Sequence, residues 1–419
     1  MCFIGEDGMI MFECGQAVYG MYDAGTIAGR VLGETLIAAD YYEVGLESCM
    51  WRSNRKGEEL VCFNLNVDDI DFQGLPNAGH KERLLKVLSA DGYEVSHTEF
   101  DDDVQNYCGY QVVHDSKTNR VMVSMPGYVD EMLELFGMTG VKIQDHPYRY
   151  TQPAFSSKAQ SPAVEDESEL LNETQITELQ KKLGKLQWYC NICYEIVTIV
   201  SKIASAQSRP TAKVLKDVNH VIAYLAGHRN TALFFHPSDM QLSTESDASF
   251  ASESKSKSRI GGVFLIGGYG PEGQPINSPL GVFSKIADCH PDSAAEAEYV
   301  ACHDVVKKGV TLRMTLEDFG FPQIGASENR CDNDCAVKMT NGLVMDRKTK
   351  HIDRRYHWVR HELKKGTFTI KWYKGSSNLA DFFTKLLNKE NHRRFTDLFT
   401  KQFTADEGVS DVVRPGAPT

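Results

Sequence analysis

From about Gln241 onward the order of short apolar runs leaves this chain few architectures. Strand-formers fill Gln241 to Phe250, Gly262 to Ile266 and Leu280 to Ser284, and a helical pattern then runs from about Ser293 to Lys307. A strand ends near Cys331, helices cover Cys335 to Met339 and Ile352 to Lys364, Phe368 to Tyr373 is a strand, and a last helix starts near Asn378. Three strands followed by alternating helix and strand predict a mixed α/β fold.

Upstream, Leu60 to Leu65 and Val67 to Gly74 read as a β-hairpin with Asp68 and Asp69 at its tip. Lys81 to Leu88 reads as a helix, Tyr107 to Val113 and Val121 to Ser124 as strands, and Tyr128 to Phe136 as an amphipathic helix through Met132, Leu133 and Phe136. Between about His146 and Glu178, prolines, serines and the run Glu165-Asp166-Glu167-Ser168-Glu169 mark a linker. Two helices follow, one from near Gln180 to Ala206. The other, Thr211 to Leu225, carries Leu215, Val218, Ile222 and Leu225 on one face. Beyond Thr404, Gly408, Pro415, Gly416 and Pro418 predict a disordered tail.

At 419 residues, two or three domains are expected. Eleven scattered cysteines behind a start that lacks a basic, apolar leader predict reduced thiols in the cytosol or nucleus. A net charge of −12 argues against coating nucleic acid through overall charge. From Asn341 to Lys401, however, fifteen Lys and Arg face only six Asp and Glu, so the C-terminal part is the basic one. Within it Arg347, Lys348, Lys350, Arg354 and Arg355 are the candidate phosphate contacts.

Four acids carry the candidate chemistry: Asp247 in a strand, Glu298 on a helix, Asp332 at a strand end and Asp381 where the last helix opens. Taken singly, each reads as a solvated strand end or helix cap. Brought together they would repel unless a cation held them, and paired Mg²⁺ ions suit hard oxygen ligands and phosphodiester hydrolysis.

These pieces resemble, in order, the ribonuclease H domain of copia-type LTR retrotransposon Pol polyproteins. Ser246-Asp247-Ala248-Ser249-Phe250 is similar to that family's first strand, Arg259 to Gly268 to its second, and Val282-Phe283-Ser284-Lys285 with Ser293 to Tyr299 to its third strand and first helix. Cys331-Asp332-Asn333, Lys348 to His357 and Ala380-Asp381-Phe382-Phe383-Thr384-Lys385-Leu386 complete the resemblance. It implies that Asp247, Glu298, Asp332 and Asp381 are catalytic metal ligands for two Mg²⁺ ions (Mn²⁺ in their place), with Glu296 the alternative helix acid. The implied reaction cuts the RNA strand of an RNA–DNA hybrid.

The first part resembles the reverse transcriptase of the same polyprotein through Gln16 to Met21, Asn66-Val67-Asp68-Asp69 and Tyr107-Cys108-Gly109-Tyr110. A polymerase needs a third carboxylate on an earlier palm strand, so Asp68 and Asp69 are expected to be a remnant and independent polymerisation is not expected. The implied organisation is a truncated palm over 1–145, a linker over 146–178, a helical thumb or connection over 179–236, a five-stranded ribonuclease H-like domain over 240–390 and a tail over 391–419. RNA, DNA and other Pol-derived chains are the implied partners, in the cytoplasm, nucleus or a virus-like particle. Two alternatives stay open: a catalytically silent nucleic-acid-binding remnant, and part of a full reverse transcriptase completed from upstream.

Other signals are weaker. Cys331 and Cys335 with His351 and His357 outline a zinc site but fall inside the motifs just named. Cys190, Cys193, Trp188, Tyr189 and Tyr194 read as core, His351, His357 and His361 as packing or phosphate contacts, and Gly267 to Gly270 as a turn without a phosphate-loop Lys.

Overall fold

The computed structural model of the chain describes residues 2–4, 10–12, 24–44, 50–53, 61–66, 69–73, 79–95, 104–151, 166–271, 273–342 and 353–403. They form two compact units: residues 1–99 with 317–320, and residues 100–316 with 321–419.

In the first unit β1 (Cys2–Ile4) pairs with β2 (Ile10–Phe12). Then α1 (Ala24–Ala38) leads into an antiparallel sheet of β3 (Tyr41–Glu43), β4 (Met50–Ser53), β5 (Cys62–Asn66) and β6 (Asp69–Gln73), followed by α2 (His80–Ala90). The hairpin expected from the sequence is β5–β6, with Asn66 opposite Asp69. Leu32 and Leu36 of α1 and Leu84 and Leu88 of α2 close over Tyr41, Trp51 and Phe63.

The second unit begins with β7 (Val104–Tyr107), β8 (Tyr110–Asp115) and β9 (Arg120–Ser124), then α3 (Tyr128–Leu135), α4 (Glu173–Tyr189), α5 (Val197–Ser205), α6 (Ala212–Leu225) and β10 (Thr231–Phe235). Asn172 caps α4 in a reciprocal capping box with Gln175, which starts the helix inside the stretch assigned to the linker. The single helix expected from Gln180 to Ala206 is two helices. Its break at Cys190 to Ile196 has a packing reason. The turn buries Glu195, whose carboxylate accepts the Tyr224 hydroxyl at 2.7 Å, and Tyr194, whose hydroxyl donates to the Pro279 carbonyl at 3.2 Å.

The second sheet follows: β11 (Leu242–Ser249), β12 (Arg259–Ile266), β13 (Gly281–Ile286), α7 (Ala294–Asp318), β14 (Ser327–Cys331), α8 (Asp334–Thr340), α9 (Asp353–Lys365) and β15 (Phe368–Trp372). The order is β13-β12-β11-β14-β15, antiparallel across the first three and parallel from β11 through β14 to β15. This is the mixed α/β fold, with a central five-stranded sheet flanked by helices, that the sequence predicts. One part of α7 packs Tyr299, Cys302 and Val306 against Leu242, Phe368 and Ile370. Another packs Val300, Ala301 and Val305 against Ile260, Phe264 and Phe283.

After β15 the expected helix is one short 3-10 stretch, Leu379–Phe383, because its apolar residues serve two directions of packing at once. The chain then forms α10 (Lys389–Phe399) and β16 (Lys401–Gln402), and β16 pairs with β10 while β10 pairs with β9. Residues 391–403, expected as tail, are therefore packed, with Phe395, Phe399 and Phe403 buried.

One core runs through the whole second unit. Leu183, Leu186, Val218 and Ile222 of the helices pack with Val263 and Leu265 of β12, Phe382 and Phe383 of the 3-10 stretch, and Phe395 and Phe399 of α10. A buried polar cluster reinforces it. Arg259, wholly buried on β12, donates to Glu253 at 2.7 Å, to Ser201 Oγ at 2.8 Å and to Ser284 Oγ at 3.0 Å, and Lys202 of α5 also bonds Glu253. Buried apolar area contributes about 25 cal/mol per Å². Cutting the helices away would therefore expose one face of the sheet and leave Arg259 short of a partner. A chain of residues 100–403 should unfold cooperatively in urea, whereas residues 240–403 alone should show no cooperative transition by circular dichroism.

Candidate active site

Asp247 lies near the end of β11, almost wholly buried, opposite Gly261 of β12. The parallel register of β11 with β14 runs from Ser243–Glu328 to Glu245–Arg330, and its continuation brings the chain just after β14, where Asp332 stands, level with Asp247. Glu298 reaches this edge from the first turns of α7, with its carboxylate 3.9 Å from the Cys331 thiol. Ligand atoms of Glu298, Cys331 and Asp332 all lie within 4.8 Å of one another. Asp381 arrives on the 3-10 stretch, where Lys385 Nζ bonds Asp381 Oδ1 and stands 3.7 Å from Asp247 Oδ2. The four acids singled out in the sequence, far apart along the chain, thus meet at one edge of the sheet.

Of the two helix acids, Glu298 is the one at this edge. Glu296 instead accepts the Asp292 backbone N–H at 2.7 Å and closes the start of α7.

What holds Asp381 beside Asp247 is a set of residues around the two, none of them among the sequence candidates. Glu245, two residues before Asp247 and wholly buried, accepts the Leu379 N–H at 2.5 Å and the Tyr269 hydroxyl at 2.8 Å. Asn378 donates to the Ser246 carbonyl at 3.0 Å and caps the 3-10 stretch by accepting the Ala380 N–H. The Thr384 hydroxyl bonds Asp247 Oδ2. Gly261 lets the turn lie this close, since a Cβ there would sit 2.9 Å from Phe383 Cβ and 2.9 Å from Thr384 Cγ2. Gly375 does the same for Asp332, because a Cβ there would fall 2.6 Å from Asp332 Oδ2. The period-two spacing of Glu245 and Asp247 on one strand was the signal that could have found Glu245.

The electrostatics record the crowding. Burial first, and then Asp381 and Asp332, push Asp247 up to about 6 against the relief given by Lys385 and Thr384. Burial, Asp247, Cys331 and Asp332 push Glu298 well above the usual carboxylate range. Asp332 is raised by burial and by Asp381, and Lys385 is raised by the acids around it. Burial pushes Glu245 up to about 7.

A hard divalent cation fits this donor set. Four carboxylates present oxygen ligands, and Asp247 Oδ1 is buried with no hydrogen-bond partner. Cys331 Sγ lies in the same group, but a hard divalent cation prefers the carboxylate oxygens to sulfur.

The remaining sequence candidates divide. Asp68 lies outside the described residues and Asp69 opens β6. Arg347, Lys348, Lys350 and His351 lie outside the described residues, while Arg354 and Arg355 lie on α9. Cys331 is buried and Cys335 exposed. Tyr189, Cys193 and Tyr194 are buried as expected, but Trp188 is 44% exposed. Gly267 and Gly268 form a turn with positive φ. No described helix is long and apolar enough to cross a membrane.

Two substitutions test this arrangement. Gly261→Ala should displace the 380–384 turn and weaken divalent-cation binding while leaving the far-ultraviolet circular dichroism intact. Glu245 keeps its proton in the folded chain up to about 7, against 4.5 when unfolded, so it makes stability fall as pH rises between those values. Relative to wild type, Glu245→Gln should therefore gain about 3 kcal/mol between pH 4 and pH 8 in urea denaturation.

No protein-family model matches the chain. The Pol polyprotein of transposon TNT 1-94 from Nicotiana tabacum is 23% identical over 350 residues, which cover 83% of this chain and 25% of that protein. Pol polyproteins of the Arabidopsis thaliana transposons RE1 and RE2 match over about half of the chain. Among solved structures, LC11-RNase H1, isolated from compost, aligns over 34% of this chain and 91% of its own, at 14% identity and a TM-score of 0.24. The foamy viral protease–reverse transcriptase aligns over 96% of this chain and 41% of its own, at 14% identity and a TM-score of 0.43. The chain spans about a quarter of its tobacco relative. Its curated homologues are retrovirus-related Pol polyproteins of plant transposons, similar over half of its length or more at modest identity.

Proposed function

We propose that the β11–β15 sheet with its C-terminal turn is a ribonuclease H, cutting the RNA strand of an RNA–DNA hybrid. The observation that carries this reading is the meeting of Asp247, Glu298, Asp332 and Asp381, from four separate segments, at one sheet edge. Homology to Pol polyproteins supports it.

Asp247, Glu298, Asp332 and Asp381 would hold the divalent ions. When bound, Mg²⁺ supplies Lewis-acid activation of water and of the phosphodiester. The protein's part is to fix its carboxylates in advance. Thr384 orients Asp247, Glu245 and Asn378 seat the turn that carries Asp381, and the Trp372 indole donates to the Asp332 carbonyl at 2.9 Å, setting the chain where it leaves β14. Such preorganisation lowers the reorganisation needed when charge develops on the phosphate. The basic C-terminal stretch would lie along the phosphates, and contacts to 2′-hydroxyls would select the RNA strand. Asp68 and Asp69 take no part in this reaction.

Purified chain with Mg²⁺ should cleave the labelled RNA of a hybrid and leave the equivalent DNA duplex intact. Asp247→Asn and Asp332→Asn should each lower the rate by on the order of a hundredfold or more. Cleavage that persists unchanged in both variants, or no cleavage by wild type where a known ribonuclease H cuts the same hybrid, would sink the reading.

A further inference from the structure

Among the described residues, Lys385 is the cation that faces three of the candidate acids at once. Its ammonium bonds Asp381, stands 3.7 Å from Asp247 Oδ2, and has Asp332 as a third carboxylate within electrostatic reach. The i, i+4 step from Asp381 and the bond of the neighbouring Thr384 to Asp247 fix the backbone from which it reaches. Its side chain is nevertheless 41% exposed, so the flexible four-carbon stem has open solvent to move into.

Lys385 engages Asp381 Oδ1 and Asp247 Oδ2 and leaves Asp247 Oδ1 unpartnered, so a divalent cation drawn to that oxygen would share a carboxylate with the ammonium. An ammonium and a dication sharing the carboxylates of Asp381 and Asp247 would repel strongly at such range, because partly buried charges are poorly screened. Either the metal binds against that repulsion or the ammonium leaves.

We propose that Lys385 is a tethered counter-ion of the acid cluster, a positioning residue that neutralises Asp247 and Asp381 and must give way when a divalent cation binds. This rests on the reading of the four acids as metal ligands. Two opposite consequences follow from one side chain. Lys385 stabilises the chain in chelator, where the carboxylates would otherwise face one another uncompensated. It also lowers the affinity for the metal, since binding has to displace it. Once displaced, its head is free to meet a negative group on the solvent side, so a bound strand's phosphate and the metal would favour each other's binding.

The test uses the full chain and Mn²⁺ as the probe, followed by titration calorimetry, with melting temperatures recorded in EDTA and in Mn²⁺. Lys385→Met should melt below wild type in EDTA, bind Mn²⁺ on the order of tenfold more tightly, and show the larger rise in melting temperature with metal. Lys385→Arg keeps the cation and should restore wild-type affinity. Lys385→Gln repeats the measurement should the Met variant fold poorly. Mn²⁺ affinity in Lys385→Met and Lys385→Gln that is equal to or weaker than wild type overturns the proposal. Binding by wild type that Asp332→Asn leaves unaltered overturns the metal-ligand reading instead, and with it the premise for Lys385.

Discussion

Four carboxylates confined to one sheet edge repel one another, and the second unit is arranged to hold them there. Two like charges about 4 Å apart, in surroundings with an effective dielectric near 20, oppose folding by about 4 kcal/mol. Hydrogen bonds among the acids cannot offset this while they are ionised, so the restraint comes from outside the cluster. Glu245 and Asn378 bind the 3-10 stretch to β11, Gly261 lets it sit flat on β12, and Lys385 supplies opposite charge. Asp381 is therefore placed by the bonds and packing of the turn that carries it, with Lys385 as the partner of its carboxylate.

That packing begins far from the acids. Phe382 and Phe383 contact each other with ring centroids 5.2 Å apart, and both lie 5.3 Å from Phe399 of α10. α10 is itself held by His392, whose ring nitrogen faces the Glu195 carbonyl at 3.2 Å, and by β16 pairing with β10. The C-terminal segment thus acts as a brace. It carries the catalytic candidate Asp381 at one end and is fastened at the other to a sheet that also contains β7 to β9.

The strands and helices of residues 240–373 were legible because each alternates or repeats on a local period, and the four acids because a long ordered set of motifs surrounds them. Three things escaped. The break between α4 and α5 is imposed by Glu195 and Tyr194 turning toward α6 and the Pro279 loop, contacts that no local period encodes. The 3-10 stretch at Leu379 read as a helix because Leu379, Phe382 and Phe383 are spaced like one, yet they pack toward both β12 and α10. Residues 391–403 fell in the tail of the implied organisation, while Phe395, Phe399 and Phe403 anchor them. In the site, Glu245 and Lys385 were passed over for a related reason. Their importance lies in what they touch across the fold, and a strand Glu or a helical i, i+4 Asp–Lys pair is unremarkable in sequence.

A boundary near residue 240 divides the chain by sequence pattern but not by energy. Val263 and Leu265 of β12 are wholly buried against a core shared with α4 and α6, and the guanidinium of Arg259 bonds Ser201 of α5. A buried Arg without its partners is strongly destabilising, so α5 and β12 constrain each other's sequence. Gly261, two residues further along β12, is where the 380–384 turn rests, and Gly262 lies against Phe283 and Val305 on the opposite face. One strand, β12, therefore receives the helical segment, the turn that carries Asp381 and α7 within four residues, Arg259 to Gly262. Movement of the helices against the sheet would reach Asp381 through the 3-10 stretch without crossing any flexible link. In this fold the helical segment belongs to the structure of the site as much as the sheet does.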